Sequence, residues 1–140
     1  MLVEIPKTPI EELKTPFLEF QKIRVFIKRD DLNDPLLMGN KFRKLKYNLI
    51  AARAKDADTL LTYGGAYSNH IFATAAAGKR YGFKTIGLIR GDELNANSNP
   101  TLQAAANFGM TLVFLPRQEF SDFKSQLTFP SDVKGKIYTL

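Results

Sequence analysis

The chain has 140 residues, of which 44% are hydrophobic and 24% are charged, a balance typical of a folded globular protein rather than a disordered one. Because it has no cysteine and only one histidine, disulfides, thiolate chemistry and the usual zinc sites are excluded, and we expect no metal. No apolar stretch approaches the ~20 residues that a membrane-spanning helix needs, so we expect a cytoplasmic protein without membrane contact.

The net charge of +6 raises the question of a nucleic-acid partner. The densest basic cluster comprises Lys41, Arg43, Lys44 and Lys46, but no nucleic-acid-binding motif accompanies it. Basic helix faces are usually just solvated, so we expect no nucleic-acid partner. A basic nucleic-acid-binding domain stays open as an alternative.

The predicted elements alternate between strand and helix from residue 23 onward. In chain order they are a strand at 23–32, a helix at 40–57, a strand at 59–65, a helix at 68–82, a strand at 84–91, a helix at 100–109, a strand at 111–116, a helix at 118–127 and a strand at 136–140. Strands separated by single helices indicate βαβ units and a parallel sheet. The predicted fold class is therefore α/β, an open, mostly parallel, twisted sheet with helices on both faces. Because the last apolar strand runs to Leu140, we expect a longer protein.

The first long helix begins with an unusual residue. Gly39 and Asn40 predict a turn and an N-cap, so Lys41 takes the first helical position, where the positive end of the helix dipole disfavours a cation. A stripe of apolar side chains follows at helical spacing: Phe42, Leu45, Leu49 and Ala52. Lys41 lies at the border of this stripe, and both desolvation and the dipole favour its neutral amine, the form that a Schiff-base lysine needs. The alternative is a lysine whose stem packs while its charge reaches solvent.

A second candidate site follows the strand at 60–63. The strand runs into Gly64 and Gly65, and then into a helix capped by Ser68 or Asn69. Glycines at the carboxyl end of a strand allow close approach of a ligand, and a helix N-terminus offers free N–H groups to an anion. Neither nucleotide-binding glycine motif is present, so the predicted anion is a carboxylate or a small phosphate group. The alternative is an ordinary strand-to-helix turn.

Other polar residues are weaker candidates. His70 falls in the first turn of that helix, beside the predicted anion site, although an isolated histidine is more often a half-buried surface residue. Tyr67 is as easily explained by packing as by chemistry. The pair Asp30 and Asp31 follows a strand and is commonly a turn, because two aspartates alone are a weak metal signal.

Three ordered motifs together resemble one enzyme family. "KRDDLN" (28–33), "GNKFRKL" (39–45) and "GGAYSNH" (64–70) are similar, in this order and spacing, to the 1-aminocyclopropane-1-carboxylate deaminase and D-cysteine desulfhydrase family. Members of that family are pyridoxal-phosphate enzymes of the tryptophan-synthase-β fold type, fold type II. The segment "SNPTLQAAANFGMTLVFL" (98–115) also resembles the family, and the similarity extends from about Arg24 onward.

The resemblance implies a role for each matching residue. Lys41 corresponds to the Schiff-base lysine, which holds the cofactor and moves a proton. Asn69 corresponds to the asparagine that hydrogen-bonds the cofactor's 3′ oxygen. Ser68, Asn69 and His70 correspond to the loop that receives the substrate carboxylate, with Ser68 assisting catalysis near the substrate. The implied reaction is deamination or desulfhydration of a small amino acid, either aminocyclopropane carboxylate or D-cysteine.

The resemblance also implies a domain organisation. Residues 1–38 would join the large cofactor domain, and residues 39–140 would form the small domain. The family's second half, with its glycine-rich phosphate loop, is not in the 140 residues, so we expect the chain alone to be inactive and the full-length enzyme to be a homodimer. Ala66 and Tyr67 depart from the family pattern and leave substrate choice open. The alternative is a non-catalytic α/β binding module derived from the family.

Overall fold

The N-terminal part of the chain forms a small antiparallel unit. The computed structural model describes residues 7–37, 39–126, 128–129, 131 and 135–140. Strands β1 (Ile10–Leu13) and β2 (Val25–Lys28) pair antiparallel, and the short helix α1 (Pro16–Phe20) connects them. The sequence did not predict β1 or α1, because neither has a buried residue and no buried face imposes a periodic apolar pattern.

The remainder is built on a four-stranded parallel sheet. Its strands are β3 (Thr59–Gly64), β4 (Lys84–Arg90), β5 (Met110–Leu115) and β6 (Ile137–Thr139), arranged in the order β5-β4-β3-β6. All three strand pairings are parallel. The predicted α/β fold with a mostly parallel sheet is therefore confirmed.

Helices cover both faces of this sheet. They are α2 (Asn40–Ala54), α3 (Asn69–Tyr81), α4 (Pro100–Asn107) and α5 (Arg117–Gln126). Helices α2, α3 and α4 pack on the face that carries Leu60 and Ile89, whereas α5 packs on the opposite face through Phe120. The predicted helix at 118–127 is thus confirmed as α5, except that Leu127 lies outside the described residues.

The strand order creates a switch point beside β3. From β3 the chain moves outward to β4 and β5, and then returns by way of α5 to place β6 on the other side of β3. In open α/β sheets, ligands bind at the carboxyl ends of strands where the order reverses. Here those ends are Gly64 of β3 and Thr139 of β6.

The start of α2 differs by one residue from the prediction. The N-cap is Gly39, with φ +65°, so Asn40 is the first helical residue and Lys41 the second. The positive φ, which glycine adopts without steric cost, turns the chain into the helix one residue early. As predicted, Phe42, Leu45, Leu49 and Ala52 are buried.

Candidate active site

Lys41 stands at the N-terminal end of α2, at the border of the packed face. Its side chain is half-buried, whereas Arg43 and Lys44 are exposed, as the helical spacing predicted. The Lys41 ammonium Nζ donates to Oδ1 of the neighbouring Asn40 at 3.0 Å. Among the described residues, no side chain caps α2, since its N-cap is a glycine. Lys41 therefore lies in a first helical turn whose backbone N–H groups have no capping side chain there.

Helix α3 begins at the carboxyl end of β3, as expected. Ser68 is the N-cap, and its Oγ accepts from the backbone N–H groups of His70 and Ile71, both at 3.3 Å. Of the two predicted caps, the structure thus selects Ser68 and leaves the Asn69 amide, which is exposed, free of a capping role. Both bonds are slightly longer than the usual N–H···O range.

A glycine is required at the end of β3. A Cβ atom at Gly64 would lie 2.4 Å from Cγ1 of Ile71 and 3.0 Å from Cβ of Ser68. At the next residue, Gly65, a Cβ would meet nothing within 4 Å. The close packing at Gly64 fixes the first turn of α3 against β3 and so sets the positions of Ser68 and Asn69.

Two grooves meet at Lys41. The first, of about 300 Å³, contains Lys41, Asn40 and Asn69 and is closed by Leu36 and Phe72; we call it the Asn69 groove. Its volume is at the lower limit for small-molecule pockets. The structure therefore brings Lys41 and Asn69, which are far apart in the sequence, to one concave surface.

The second groove, of about 370 Å³, lies on the other side of Lys41. It is formed by Lys41, Lys44, Asn48, His70 and Leu140, and we call it the His70 groove. Leu140 continues β6 by donating its backbone N–H to the Leu61 carbonyl at 2.9 Å. The groove therefore opens at the switch point of the sheet.

The His70 imidazole is held in its neutral form. Partial burial lowers the pKa of His70, and the positive charges of Lys41 and Lys44 lower it further. Because its pKa lies below the usual 6.5, the imidazole is neutral at pH 7 and has one donor and one acceptor nitrogen. Of the other candidates, Tyr67 is exposed and lies in neither groove.

Asp30 and Asp31 form a turn and bind arginines. They belong to a short 3₁₀ turn, Asp30–Leu32. The Arg43 guanidinium binds the Asp30 carboxylate at 2.6 and 2.7 Å and lowers the pKa of that carboxyl to about 2. Arg29 binds Asp31 in the same way. Among the described residues, no three histidine or acidic side chains lie close enough to hold a metal ion.

A second ion pair that sequence reasoning missed holds the loop before α2. The Asp34 carboxylate accepts from the backbone N–H groups of Leu36 and Leu37, both at 2.8 Å, and pairs with Arg80 of α3. Burial alone would raise the pKa of Asp34, but these bonds outweigh it and lower the pKa. The Asp-Pro dipeptide at 34–35 signals a turn, although nothing in the local pattern identifies Arg80 as its partner.

Solved structures identify the class of fold. No family model matches the chain. A structure described as an ACC deaminase homologue superimposes with a TM-score of 0.73 at 28% identity, covering 100% of this chain and 43% of that one. O-ureido-L-serine synthase, at 20% identity and a TM-score of 0.65, covers 89% of this chain and 37% of that one and shows the same fold. The chain therefore has the fold of the fold type II pyridoxal-phosphate enzymes.

Sequence relatives narrow this class to one family. A Thermotoga maritima protein that bears the name 1-aminocyclopropane-1-carboxylate deaminase is 40% identical over 97 residues, which are 69% of this chain and 31% of that protein. The bifunctional D-cysteine desulfhydrase/1-aminocyclopropane-1-carboxylate deaminase of Arabidopsis thaliana is 33% identical over 129 residues, 89% of this chain and 32% of that protein.

The chain thus belongs to the 1-aminocyclopropane-1-carboxylate deaminase and D-cysteine desulfhydrase family, as the three sequence motifs predicted. It spans about a third of the length of the relatives it matches. Enzymes of this family are generally pyridoxal-phosphate dependent and act on small amino acids. Across the part of the chain that the structure describes, every helix is too short or too polar to cross a membrane.

Proposed function

We propose that the chain is the lysine-bearing part of a pyridoxal-phosphate-dependent deaminase or desulfhydrase that acts on a small amino acid. The observation that carries this proposal is the convergence of Lys41 and Asn69 in the Asn69 groove. Two residues from different helices supply an amine and an amide to the same surface, at the edge of the sheet where ligands bind in open α/β folds.

The donor set of this groove fits the ring end of pyridoxal phosphate. An aldehyde requires a primary amine, and Lys41 presents one that is half-buried and next to a concave surface. A ring oxygen requires a donor, which the Asn69 amide would supply. When bound, pyridoxal phosphate supplies an electron sink that stabilises negative charge on the substrate. Lys41 would hold the cofactor covalently, and its amine would move a proton at the substrate's α-carbon.

The start of α3 would bind the substrate carboxylate. Ser68 Oγ uses its lone pairs to cap the His70 and Ile71 N–H groups, which leaves its own proton available for donation. Because those two bonds are long at 3.3 Å, a carboxylate oxygen could compete for the same N–H groups. The positive end of the helix favours an anion at this place. Ser68 and Asn69 would therefore bind the substrate carboxylate, and Ser68 would also act as a catalytic residue.

His70 would contact the same carboxylate as a neutral donor. Burial and two nearby lysines lower the pKa of its imidazole, so at neutral pH it contributes a hydrogen bond without adding a positive charge. Lys41 and Lys44 already give the His70 groove a positive field, which favours entry of an amino acid through its carboxylate end.

The exposed apolar surface of the N-terminal unit supports the proposed division into residues 1–38 and 39–140. Large hydrophobic side chains concentrate there: Ile10, Leu13, Phe17, Phe20, Ile23, Phe26, Ile27 and Leu32 are all at least 42% exposed. Large apolar side chains that are exposed and concentrated in this way normally mark a contact with another protein surface. We propose that it packs against the large cofactor domain of the full-length enzyme. The homodimer and the cytoplasmic location stay predictions.

Basic side chains on α2 give little support to the nucleic-acid alternative. Arg43 is neutralised by Asp30, and Lys46 lies over the Tyr47 ring at 5.5 Å. Lys41 and Lys44 face the His70 groove rather than a continuous positive surface. The cluster is therefore divided among separate contacts.

A chimera tests the proposed activity. The 140-residue chain replaces the matched segment of the Arabidopsis relative, and two products are assayed: 2-oxobutanoate from aminocyclopropane carboxylate and sulfide from D-cysteine. Both reactions consume water and release ammonia. We expect the chimera to form at least one product, Lys41→Ala to lose turnover, and Lys84→Ala to keep it. Lys84 is a suitable control because it lies at the amino end of β4, whereas the candidate site lies at the carboxyl ends of the strands.

Two outcomes would contradict the proposal. Turnover that persists in Lys41→Ala would mean that another lysine holds the cofactor. A folded chimera that forms no product and takes up no pyridoxal phosphate would support the alternative of a non-catalytic α/β binding module.

A further inference from the structure

Asn33 closes the loop that precedes the lysine-bearing helix. Its side chain is only 4% exposed and makes two hydrogen bonds to one residue, Gly39. Asn33 Nδ2 donates to the Gly39 carbonyl at 3.0 Å, and the Gly39 N–H donates to Asn33 Oδ1 at 3.2 Å. A single amide thus binds both polar groups of one backbone residue, six positions along the chain.

Gly39 is the residue that determines where α2 begins. It is the N-cap of α2, two residues before Lys41, and its φ of +65° turns the chain into the helix at Asn40. The Gly39 N–H is shared with the Asp30 carbonyl at 2.9 Å, so the 3₁₀ turn and the Asn33 side chain hold it together. Any shift of Gly39 moves the backbone of Lys41 with it.

The same loop forms one wall of the Asn69 groove. Leu36 and Gly39 of this loop line the groove together with Phe72 of α3. The distance between this wall and α3 therefore depends on how the loop is closed. Because Leu37 is 1% exposed and packs in the core, the loop is anchored in its middle, and Asn33 fixes the end that leads into α2.

We propose that Asn33 is a positioning residue that sets the place of the Lys41 amine relative to Asn69. This proposal rests on the proposed function, in which Lys41 holds the cofactor. Asn33 acts through the Gly39 backbone and does not itself line either groove. An amide is required, because only asparagine at this length both donates to the carbonyl and accepts from the N–H of one residue.

Two substitutions remove parts of this contact. Asn33→Asp keeps the size and the acceptor but loses the donor, and it places a carboxylate beside the Gly39 carbonyl. Asn33→Ser is neutral and too short for both bonds. The Asp34 contacts to Arg80, Leu36 and Leu37 are untouched, so the loop keeps a second attachment. Asn99→Asp is the matched control: Asn99 is also buried, and its Oδ1 caps α4 at Leu102, an acceptor role that aspartate retains.

The first readout does not need the cofactor. Exchange of the Gly39 amide hydrogen is followed by NMR in the 140-residue chain. Exchange requires the Gly39 N–H to leave both acceptors, the Asp30 carbonyl and Asn33 Oδ1. Weakening the loop closure by about 1 kcal/mol in Asn33→Ser should favour this opening and accelerate exchange roughly fivefold, with no change in Asn99→Asp. Unchanged Gly39 exchange in Asn33→Ser would overturn the inference irrespective of any cofactor result.

The second readout follows the amine itself. Each chain is incubated with pyridoxal phosphate and borohydride, and the labelling rates of Lys41 and Lys84 are compared by peptide mass spectrometry in the same sample. Since a misplacement of about 1 Å can cost roughly 100-fold in a reaction rate, we expect the Lys41-to-Lys84 ratio to fall roughly tenfold in both Asn33 variants. It should be unchanged in Asn99→Asp.

The outcomes separate the two proposals. A high ratio in the wild-type chain that stays high in both Asn33 variants would overturn the positioning role while leaving the proposed function intact. A ratio near one in the wild-type chain would contradict the proposed function itself. Faster Gly39 exchange with a reduced ratio is the result that the structure predicts.

Discussion

Replacing Gly64 by alanine should disturb both the fold and the site, whereas the same change at Gly65 should not. The new Cβ at position 64 would lie 2.4 Å from Cγ1 of Ile71, a side chain with 0% exposure, and 3.0 Å from the Cβ of the cap residue Ser68. Neither atom is the free end of a flexible chain, so α3 must move away from β3.

Overpacking of this kind costs about 1–3 kcal/mol. In a domain of this size, each kcal/mol lowers Tm by about 2–4 °C, so we expect Tm to fall by roughly 2–12 °C. Gly65 has no neighbour within 4 Å of an added Cβ and no positive φ. Gly65→Ala should therefore be neutral or stabilise the chain by about 0.4–1 kcal/mol, because alanine reduces the entropy of the unfolded chain.

The assay is thermal and urea unfolding of the two variants and the wild-type chain, followed by circular dichroism. Because Gly64→Ala displaces Ser68 and Asn69, it should also lower labelling of Lys41 by pyridoxal phosphate relative to Lys84. Equal Tm values for the two variants would refute the close packing of α3 against the end of β3. A large loss of stability in Gly65→Ala alone would refute it as well.

Three further predictions concern charge and hydrogen bonding in the site. The pKa of His70, the single histidine, should lie below 6.5 by NMR and should rise in Lys44→Met. Wild-type stability should fall as the pH drops below 6.5, because the unfolded chain takes up that proton more readily. A normal pKa for His70 would contradict the geometry of the His70 groove. The Asp30 carboxyl has a pKa of about 2 instead of 3.8, so its contribution to folding stability is present above pH 3.8 and is lost as the pH falls towards 2. Asp30→Asn should therefore make the stability of the chain depend less on pH between about 4 and 2. Ser68→Ala removes a helix cap and should cost about 0.5–2 kcal/mol of stability. In the chimera it should also lower kcat/KM at least roughly tenfold, a loss of about 1.4 kcal/mol of transition-state stabilisation, while cofactor loading is retained. Unchanged kcat/KM would mean that Ser68 is only a helix cap.

Sequence patterns predicted the elements that carry a local signal, either a periodic apolar face or residues that begin and end a helix. Helix α2 repeats apolar residues on one face from Phe42 to Ala52, and α3 is framed by the Ser68 cap and by Gly82 with φ +70°. These signals are local, so periodicity and capping rules detect them. In contrast, β1 is exposed along its whole length, and no alternation marks it as a strand.

The candidate site was predictable in part for the same reason. The border position of Lys41 follows from helical spacing alone, and the half-buried side chain agrees with it. That Lys41 meets Asn69 depends on how α2 packs against α3, and only the resemblance to the family indicated it. The Asn33–Gly39 and Asp34–Arg80 contacts were not predicted, because a six-residue loop closure and an ion pair between a loop and a helix distant in sequence leave no periodic pattern.

The proposed function depends above all on Lys41 holding pyridoxal phosphate. This is tested by incubating the 140-residue chain with the cofactor, reducing it with borohydride and measuring how the label is distributed among the lysines. Peptide mass spectrometry locates each reduced adduct. We predict that Lys41 carries most of the label at low cofactor concentration and that Lys41→Ala loses this label without a gain at Lys44. Label spread evenly over exposed lysines such as Lys84, or concentrated at Lys44 in the wild-type chain, would contradict it.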